Sequence, residues 1–332
     1  MGSGGLTKTG AGTLSLTASN NFTGNTLVSN GVLEVASTGK LYGGGYTTGP
    51  TITVASGGTL RLNGWSWDAG GSIANLDYSR DRLVVNGGTI EYTGNSNFNP
   101  GDPGSSSRNL TVGTGGATLK ASSASGQTWT ISSGNGDIIN NNGLTLDGAG
   151  AGAIQKIIEG TGSVTKTGSG TWTLSGANTY TGDTLVSAGT LLISGALGDT
   201  DVTVNGGAFG GTGTVGGSLT ITSGYFHVAN LGDALVVDGT INLFSGFGVA
   251  NLTGLDWGTV ADGTYTILDG TLGSGVFGSL ANNSSATAFG IGGGRSAYFQ
   301  SGSLQLVVVP EPGTALLGGL GILALLRRLR SL

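Results

Sequence analysis

The feature that most constrains this chain is an internal repeat. Residues 163–193, SVTKTGSGTWTLSGANTYTGDTLVSAGTLLI, align without a gap on residues 5–35, 158 positions earlier. Lys8 and Lys166, Gly10 and Gly168, Gly12 and Gly170, Asn20 and Asn178, Gly24 and Gly182, and Gly31 and Gly189 are identical pairs, while Phe22 answers Tyr180 and Leu14 answers Trp172. A copied unit of this length points to stacked, self-similar units rather than to a globule closed around one centre.

Within the unit, Leu14 and Leu16 alternate with Thr13, Ser15 and Thr17, the period of two expected of a half-buried strand. Leu33 and Val35 form a second such pair, and Ser19-Asn20-Asn21, Thr23-Gly24-Asn25 and Asn30-Gly31 are turn material. The reading is a rung of about 30 residues with two strands and two turns. It would bury about six apolar side chains at ~1.5–3 kcal/mol each, against ~1–2 kcal/mol of backbone entropy per ordered residue. One rung therefore cannot fold alone. Parallel stacking satisfies its strand hydrogen bonds and buries its apolar row.

Weaker echoes fill the interval: Ile52-Thr-Val54 with Leu60-Arg-Leu62, Leu83-Val-Val85 with Thr89-Ile90, Leu110-Thr-Val112 with Thr118-Leu119, and Val202-Thr-Val204 before Gly206-Gly207. The expected fold is all-β, a right-handed parallel β-helix (β-solenoid) over residues 1–250. Residues 40–50 and 93–109 lack periodicity and read as loops, and Ala153 to Glu159, bracketed by Gly152 and Gly160, is the one short helix candidate of the body. From 251 to 308 the rhythm changes, and short strands around Tyr265, Tyr298 and Leu304 read as a small β cap over the open end.

The 69 glycines against five prolines fit a chain of frequent turns. Without residues 310–332, which carry Glu311, Arg327, Arg328 and Arg330, there are 17 acidic and 10 basic side chains, and this negative body argues against nucleic acid as a partner. The absence of cysteine excludes disulfides, thiolate metal sites and a cysteine nucleophile. Met1 runs directly into Gly2-Ser3-Gly4-Gly5, so no signal peptide is read and a missing start is expected.

On these residues the chain resembles the autotransporter-associated β-strand repeat of bacterial surface and passenger proteins. Residues 5–35 and 163–193 keep its T-K-x-G-x-G-T pattern, the following Asn, the aromatic-Thr-Gly step and the closing x-G-x-L, and depart from it at Leu27 and Leu185, where Thr is usual, and at Trp172. The resemblance implies a β-helix and an exported protein.

The tail has three parts: Val309-Pro310-Glu311-Pro312-Gly313, the apolar run 314–326, then Arg327, Arg328 and Arg330. As a helix the apolar run would span only about 20 Å, short of the ~30 Å of bilayer hydrocarbon, and the arginines would stay cytoplasmic. Residues 309–332 resemble the PEP-CTERM sorting signal of Gram-negative bacteria, with Pro310-Glu311-Pro312 as its motif and Arg327 and Arg328 as its basic end. That resemblance implies an exosortase-type sorting protease as partner, a transient stay in the inner membrane as a short C-terminal hydrophobic helix, and cleavage near the motif. An ordinary membrane anchor is the alternative.

Other constellations hold residue types that can carry chemistry. Gly211-Thr-Gly213-Thr-Val-Gly216 fits a dinucleotide fingerprint in spacing, but the residues after it read as a strand where a phosphate site needs a helix. Asp77, Arg80, Asp81 and Arg82 are the densest charged cluster and could support polysaccharide cleavage by paired carboxylates, or be solvated surface. Gly134-Asn-Gly-Asp137 is a single copy of a calcium repeat that needs several, with Asn140, Asn141 and Asn142 read as stacked turn residues. His227, the sole histidine, excludes multi-histidine metal sites and reads as a strand residue. Trp65 and Trp67, with Tyr42 and Tyr46, form a possible glycan contact or ordinary strand packing. The expectation is an exported, non-catalytic protein of the cell surface or extracellular matrix that uses no cofactor. Exopolysaccharide or envelope glycans are candidate partners; the rivals are a carbohydrate-binding adhesin and a polysaccharide lyase or hydrolase.

Overall fold

The computed structural model describes residues 4–311 apart from 21, 37–40, 42–49, 64–82, 95–108, 124–125, 132–135 and 302. Short strands stack in parallel along one axis on three faces. Face A runs through Leu6–Lys8, Thr26–Val28, Ile52–Ala55, Leu83–Asn86, Leu110–Val112, Ile138–Asn140 and Ile158–Glu159. The amides of Thr179 and Thr181 bond to Ile158 and Gly160, and the face continues into Ala196–Leu197, Thr214–Val215 and residues 236–237. Face B begins at Thr13–Leu16 and passes through Gly31–Val35, Gly58–Leu62, Thr89–Tyr92, Ala117–Ala121 and Leu144–Asp147. It goes on through Val164–Lys166, Thr184–Val186 and residues 202–204, 219–221 and 241–243. Face C stacks Thr128–Ile131, Ala151–Ile154, Thr171–Leu174, Thr190–Ile193, residues 208–211 and 225–227, and Leu252–Thr253.

This is a parallel β-helix, but its rung differs from the one expected. Val164, Thr184, Val202, Leu219 and Ile241 stand in one column, so successive rungs advance 20, 18, 17 and 22 residues. Each has three sides, not two, the third side of the first of these rungs being residues 177–181, which bond to their neighbours without forming a strand. The spacing near 30 belongs to the column Ile52, Leu83, Leu110 and Ile138, where the chain takes a longer path between a face B strand and the next face A strand. The loops expected at 40–50 and 93–109 fall in that stretch and lie mostly outside the described residues.

Because a rung is close to 20 residues, the repeat covers about one and a half rungs, and its two copies sit rotated by one face. Leu6–Lys8 and Thr13–Leu16 lie on faces A and B, whereas the matching Val164–Lys166 and Thr171–Leu174 lie on faces B and C.

Alternation sends every second side chain inward, where it stacks on its equivalent in the neighbouring rung. Face B contributes Leu33, Leu60, Ile90, Leu119 and Leu146, then Lys166, then Val186, Val204, Ile221 and Leu243. On face C the inward column is Trp129, Gly152, Trp172, Leu191, Phe209 and Phe226. Gly152 makes room for two indoles: Trp129 and Trp172 meet edge to face at 5.6 Å, and a Cβ on Gly152 would lie 2.5 Å from the Trp172 ring. The helix candidate at Ala153 to Glu159 is therefore corrected. Ala151–Ile154 and Ile158–Glu159 are strands, because a column of parallel partners satisfies their backbone in a way no isolated helical turn could.

Parallel stacking continues past residue 250 to Leu272. Gly263–Leu272 also pairs antiparallel with Leu304–Pro310, which pairs with Arg295–Gln300, which in turn pairs with Phe289–Gly292. This reversal closes the column, with Phe247 stacked on Phe299 at 6.1 Å and the Arg295 guanidinium donating to the carbonyls of Val260 and Trp257. No helix among the described residues is long and apolar enough to cross a membrane. The short hydrophobic helix expected at 314–326 lies outside them.

Candidate functional site

The outward residues of face B carry the densest described charge. The register places Glu34, Arg61, Glu91, Lys120 and Asp147 in one column, alternating in sign from rung to rung. Neighbouring strands stand about 4.8 Å apart, so Arg61 and Glu91 each meet opposite charges above and below. Arg61 Nε lies 2.8 Å from Glu91 Oε2 and its Nη1 3.5 Å from Glu34 Oε2, while Lys120 Nζ is 3.1 Å from Glu91 Oε1. Ser122 Oγ also donates to Glu91 Oε1 at 2.9 Å. Burial alone would raise the pKa of Glu91, but the hydrogen bonds from Arg61, Ser122 and Lys120 outweigh it and hold the carboxyl below its usual value. The column ends at Asp147, whose Oδ1 accepts from Thr167 Oγ1 at 3.2 Å. A slip by one rung would set Glu34 against Glu91 and Arg61 against Lys120, so the column works as a register lock.

The second constellation is inside. Lys8 and Lys166 end strands with their side chains turned inward, and Lys166 is fully buried in an otherwise apolar column. Lys166 Nζ donates to the carbonyl of Gly168 in its own turn and to that of Ala188 in the next rung at 3.2 Å. Lys8 does the same with Gly10 and, at 3.1 Å, Asn30. Both lysines thus tie two successive turns together. Burial lowers Lys166 to about 8, partly opposed by the charge of Asp147. Room for the ammonium comes from Gly31 and Gly189, which take φ of 67° and 63° and approach the carbonyls of the turn below too closely for any side chain.

Asparagine and tyrosine complete the repeat. Asn178 is buried, donates to Gly176 and Ala196 at 2.9 Å each, and accepts from the amide of Ile158 at 3.0 Å. Its counterpart Asn20 likewise donates to the carbonyl two residues before it, Ala18. Tyr180 is fully buried, bonds Thr184 Oγ1 at 2.7 Å, and has its phenol pushed up by burial.

The structure places the other candidates as follows. Of the three asparagines read as turn residues, Asn140 instead ends strand Ile138–Asn140 with its side chain buried, donating to Gly162 and Ser163 and accepting from Gly143; Asn141 and Asn142 lie in the bend after it, where Asn142 reaches Val112 and Asn141 receives the amide of Thr161. The amide of Asp137 bonds Asn109 Oδ1 at 2.9 Å. His227 lies on a strand with Nδ1 3.3 Å from Thr253 Oγ1, and burial lowers its pKa. The glycine fingerprint at 211–216 runs into strand Leu219–His227, so no helix N-terminus faces it. Pro310 closes the last strand opposite Arg295, and the amide of Glu311 bonds Gly294 O at 2.8 Å. Pro312, Arg327, Arg328, Trp65, Trp67, Tyr42, Tyr46, Asp77, Arg80, Asp81 and Arg82 lie outside the described residues.

Sequence reasoning missed the charge column and the buried lysines. The signal for the first was present: Glu34, Arg61, Glu91 and Lys120 each stand two residues after the first outward position of their strand. The signal for the second was the identity of Lys8 and Lys166 inside an apolar alternation.

A three-faced parallel β-solenoid, sealed by lysine-bridged turns and closed by an antiparallel cap, is the class these features define. The family model described as the passenger-associated-transport-repeat matches the chain twice, at residues 6–35 and 164–193. Both matches begin one residue into the repeat and contain both partners of its lysine, Gly10 and Asn30 in one copy and Gly168 and Ala188 in the other, whereas Asn178 also reaches outside its match to Ile158 and Ala196. No curated protein and no solved structure matches the chain.

Proposed function

We propose that this chain is the rod of an exported, non-catalytic protein of the bacterial cell surface or extracellular matrix, delivered through a C-terminal sorting tail of the PEP-CTERM kind. The observation that carries the export reading is the double match to a repeat associated with passenger transport. The non-catalytic reading draws on the described charges of face B, where Glu34, Arg61, Glu91 and Lys120 neutralise one another instead of facing a cleft. The sorting reading draws on the order Pro310-Glu311-Pro312, apolar run, Arg327-Arg328, and on the fact that the last strand of the cap ends at Pro310. An exosortase-type protease would act where the folded body gives way to the tail, and the rod would then stand among envelope glycans or exopolysaccharide.

Mass spectrometry of the C-terminus of the protein recovered from the surface of its own cells tests the sorting step. A terminus close to Pro312 is expected, and an intact Leu332 overturns cleavage. Retention of the protein in the cytoplasm of those cells overturns the export reading itself.

A further inference from the structure

The cap end of the solenoid carries a trough that takes no part in the stacking or in the tail. It lies between loop 231–234 and the antiparallel pair Gly263–Leu272 and Leu304–Pro310, has a volume of about 410 Å³, and opens to solvent. Its wall is built by the register. Thr266 stands opposite Gln305, and between Thr266 and Leu268 the pairing slips by one residue as Ile267 turns into the core. A slip of this kind re-aims the side chains that follow. Here it brings Asp269 beside Ser303, whose hydroxyl donates to Asp269 Oδ1 at 2.5 Å. Tyr265, opposite buried Leu306, packs its half-buried ring on the core and donates its hydroxyl to Ala261 O at 3.0 Å, which holds the strand whose other face lines the trough.

These groups have a shared chemistry. A held carboxylate accepts hydroxyl hydrogens, the Gln305 amide both donates and accepts, and the Thr264 and Thr266 hydroxyls do the same. No lysine or arginine lines the trough among the described residues, so nothing there would compensate an anionic ligand. An open channel suits a chain running through it better than a small molecule enclosed by it. We propose that this trough binds a neutral oligosaccharide, with Asp269, Gln305 and Thr266 taking its hydroxyls. The proposal is independent of the sorting route.

The test uses the full chain and a panel of hexasaccharides, neutral ones of glucose, mannose and galactose in α and β linkages and acidic ones containing uronic acids, with calorimetry and saturation-transfer NMR as readouts. At least one neutral member binds, and Asp269→Ala and Gln305→Ala each weaken it about tenfold or more, the loss expected for a charged or paired hydrogen bond. The double variant Trp65→Ala, Trp67→Ala binds as the parent does, which separates the trough from the tryptophan-bearing segment. If Asp269→Ala fails to fold, Gln305→Ala and Thr266→Ala carry the comparison. The idea is overturned if no neutral saccharide binds, if acidic saccharides bind more tightly, or if folded trough variants bind like the parent.

Discussion

Replacing Lys166 by methionine isolates what a buried ammonium does in this solenoid. The side chain keeps its length and loses its charge, while Gly168 O and Ala188 O lose their shared donor. Each carbonyl left without a donor costs about 1–3 kcal/mol. Against that, burial lowers the lysine from 10.5 to about 8, so keeping it protonated at neutral pH costs the folded parent about 3 kcal/mol, at ~1.36 kcal/mol per unit. The two effects oppose each other at pH 7, and the net difference there is small. Raising the pH removes only one of them. Between about 8 and 10.5 the unfolded chain holds a proton that the folded chain has released, so stability rises with pH across that window. The neutral amine still has two hydrogens for its two carbonyls.

From pH 7 to pH 9.5 the parent should therefore gain about 2 kcal/mol relative to Lys166→Met. Urea unfolding of both proteins at the two pH values, followed by circular dichroism, measures this as a difference of differences. Every other titrating group is common to both chains and cancels. A difference that does not change with pH would refute the reasoning, because it would mean that the carbonyls solvate the ammonium as well as water does.

Gly152→Ala should destabilise the fold by about 1–3 kcal/mol, the usual cost of overpacking, because its Cβ would meet the Trp172 indole on a face where Trp129 already fills the other side; thermal melts check it, and Gly152→Ala combined with Trp172→Leu should recover most of the loss. Glu91→Gln should lower stability at pH 7 by about 2 kcal/mol, since its partners include two cations. The Glu91 carboxyl is held below its ordinary value, so its contribution is present above that value, 4.5, and is lost as pH falls through the folded one; parent and variant should converge in acid, and parallel pH profiles would count against the charge lock.

What could be read from the amino acids was whatever is local to a strand or a turn. Alternation at Leu83-Val-Val85 or Leu110-Thr-Val112 marks a strand whatever lies beside it, and Gly31 and Gly189 mark turns because no other residue takes their backbone so cheaply. The length of a rung was not legible, because it depends on which strand pairs with which, and the inserted stretches among the early rungs imitate a longer period. Gly152 illustrates the same limit. In the sequence it brackets a helix candidate, and only the column above and below it explains why a strand tolerates a glycine there. The trough was invisible for a related reason, since it needs a slip between strands some 40 residues apart.

The rotation of the two repeats by one face separates what the unit specifies from what its surroundings specify. Inside and outside are intrinsic: Leu27 on face A and Leu185 on face B are both 36% exposed, and their flanking residues Thr26, Val28, Thr184 and Val186 are all buried. The lysine bridge is intrinsic too, because each half of it lies within the repeat. Burial at the strand centre is relational. Leu14 is 37% exposed in the first described rung, whereas its counterpart Trp172 is fully buried against Trp129 and Gly152. A unit that fixes its own turns and its own polarity, but takes its face from the rung before it, fits two different placements in this solenoid, on faces A and B and on faces B and C, with only the strand centre repacked.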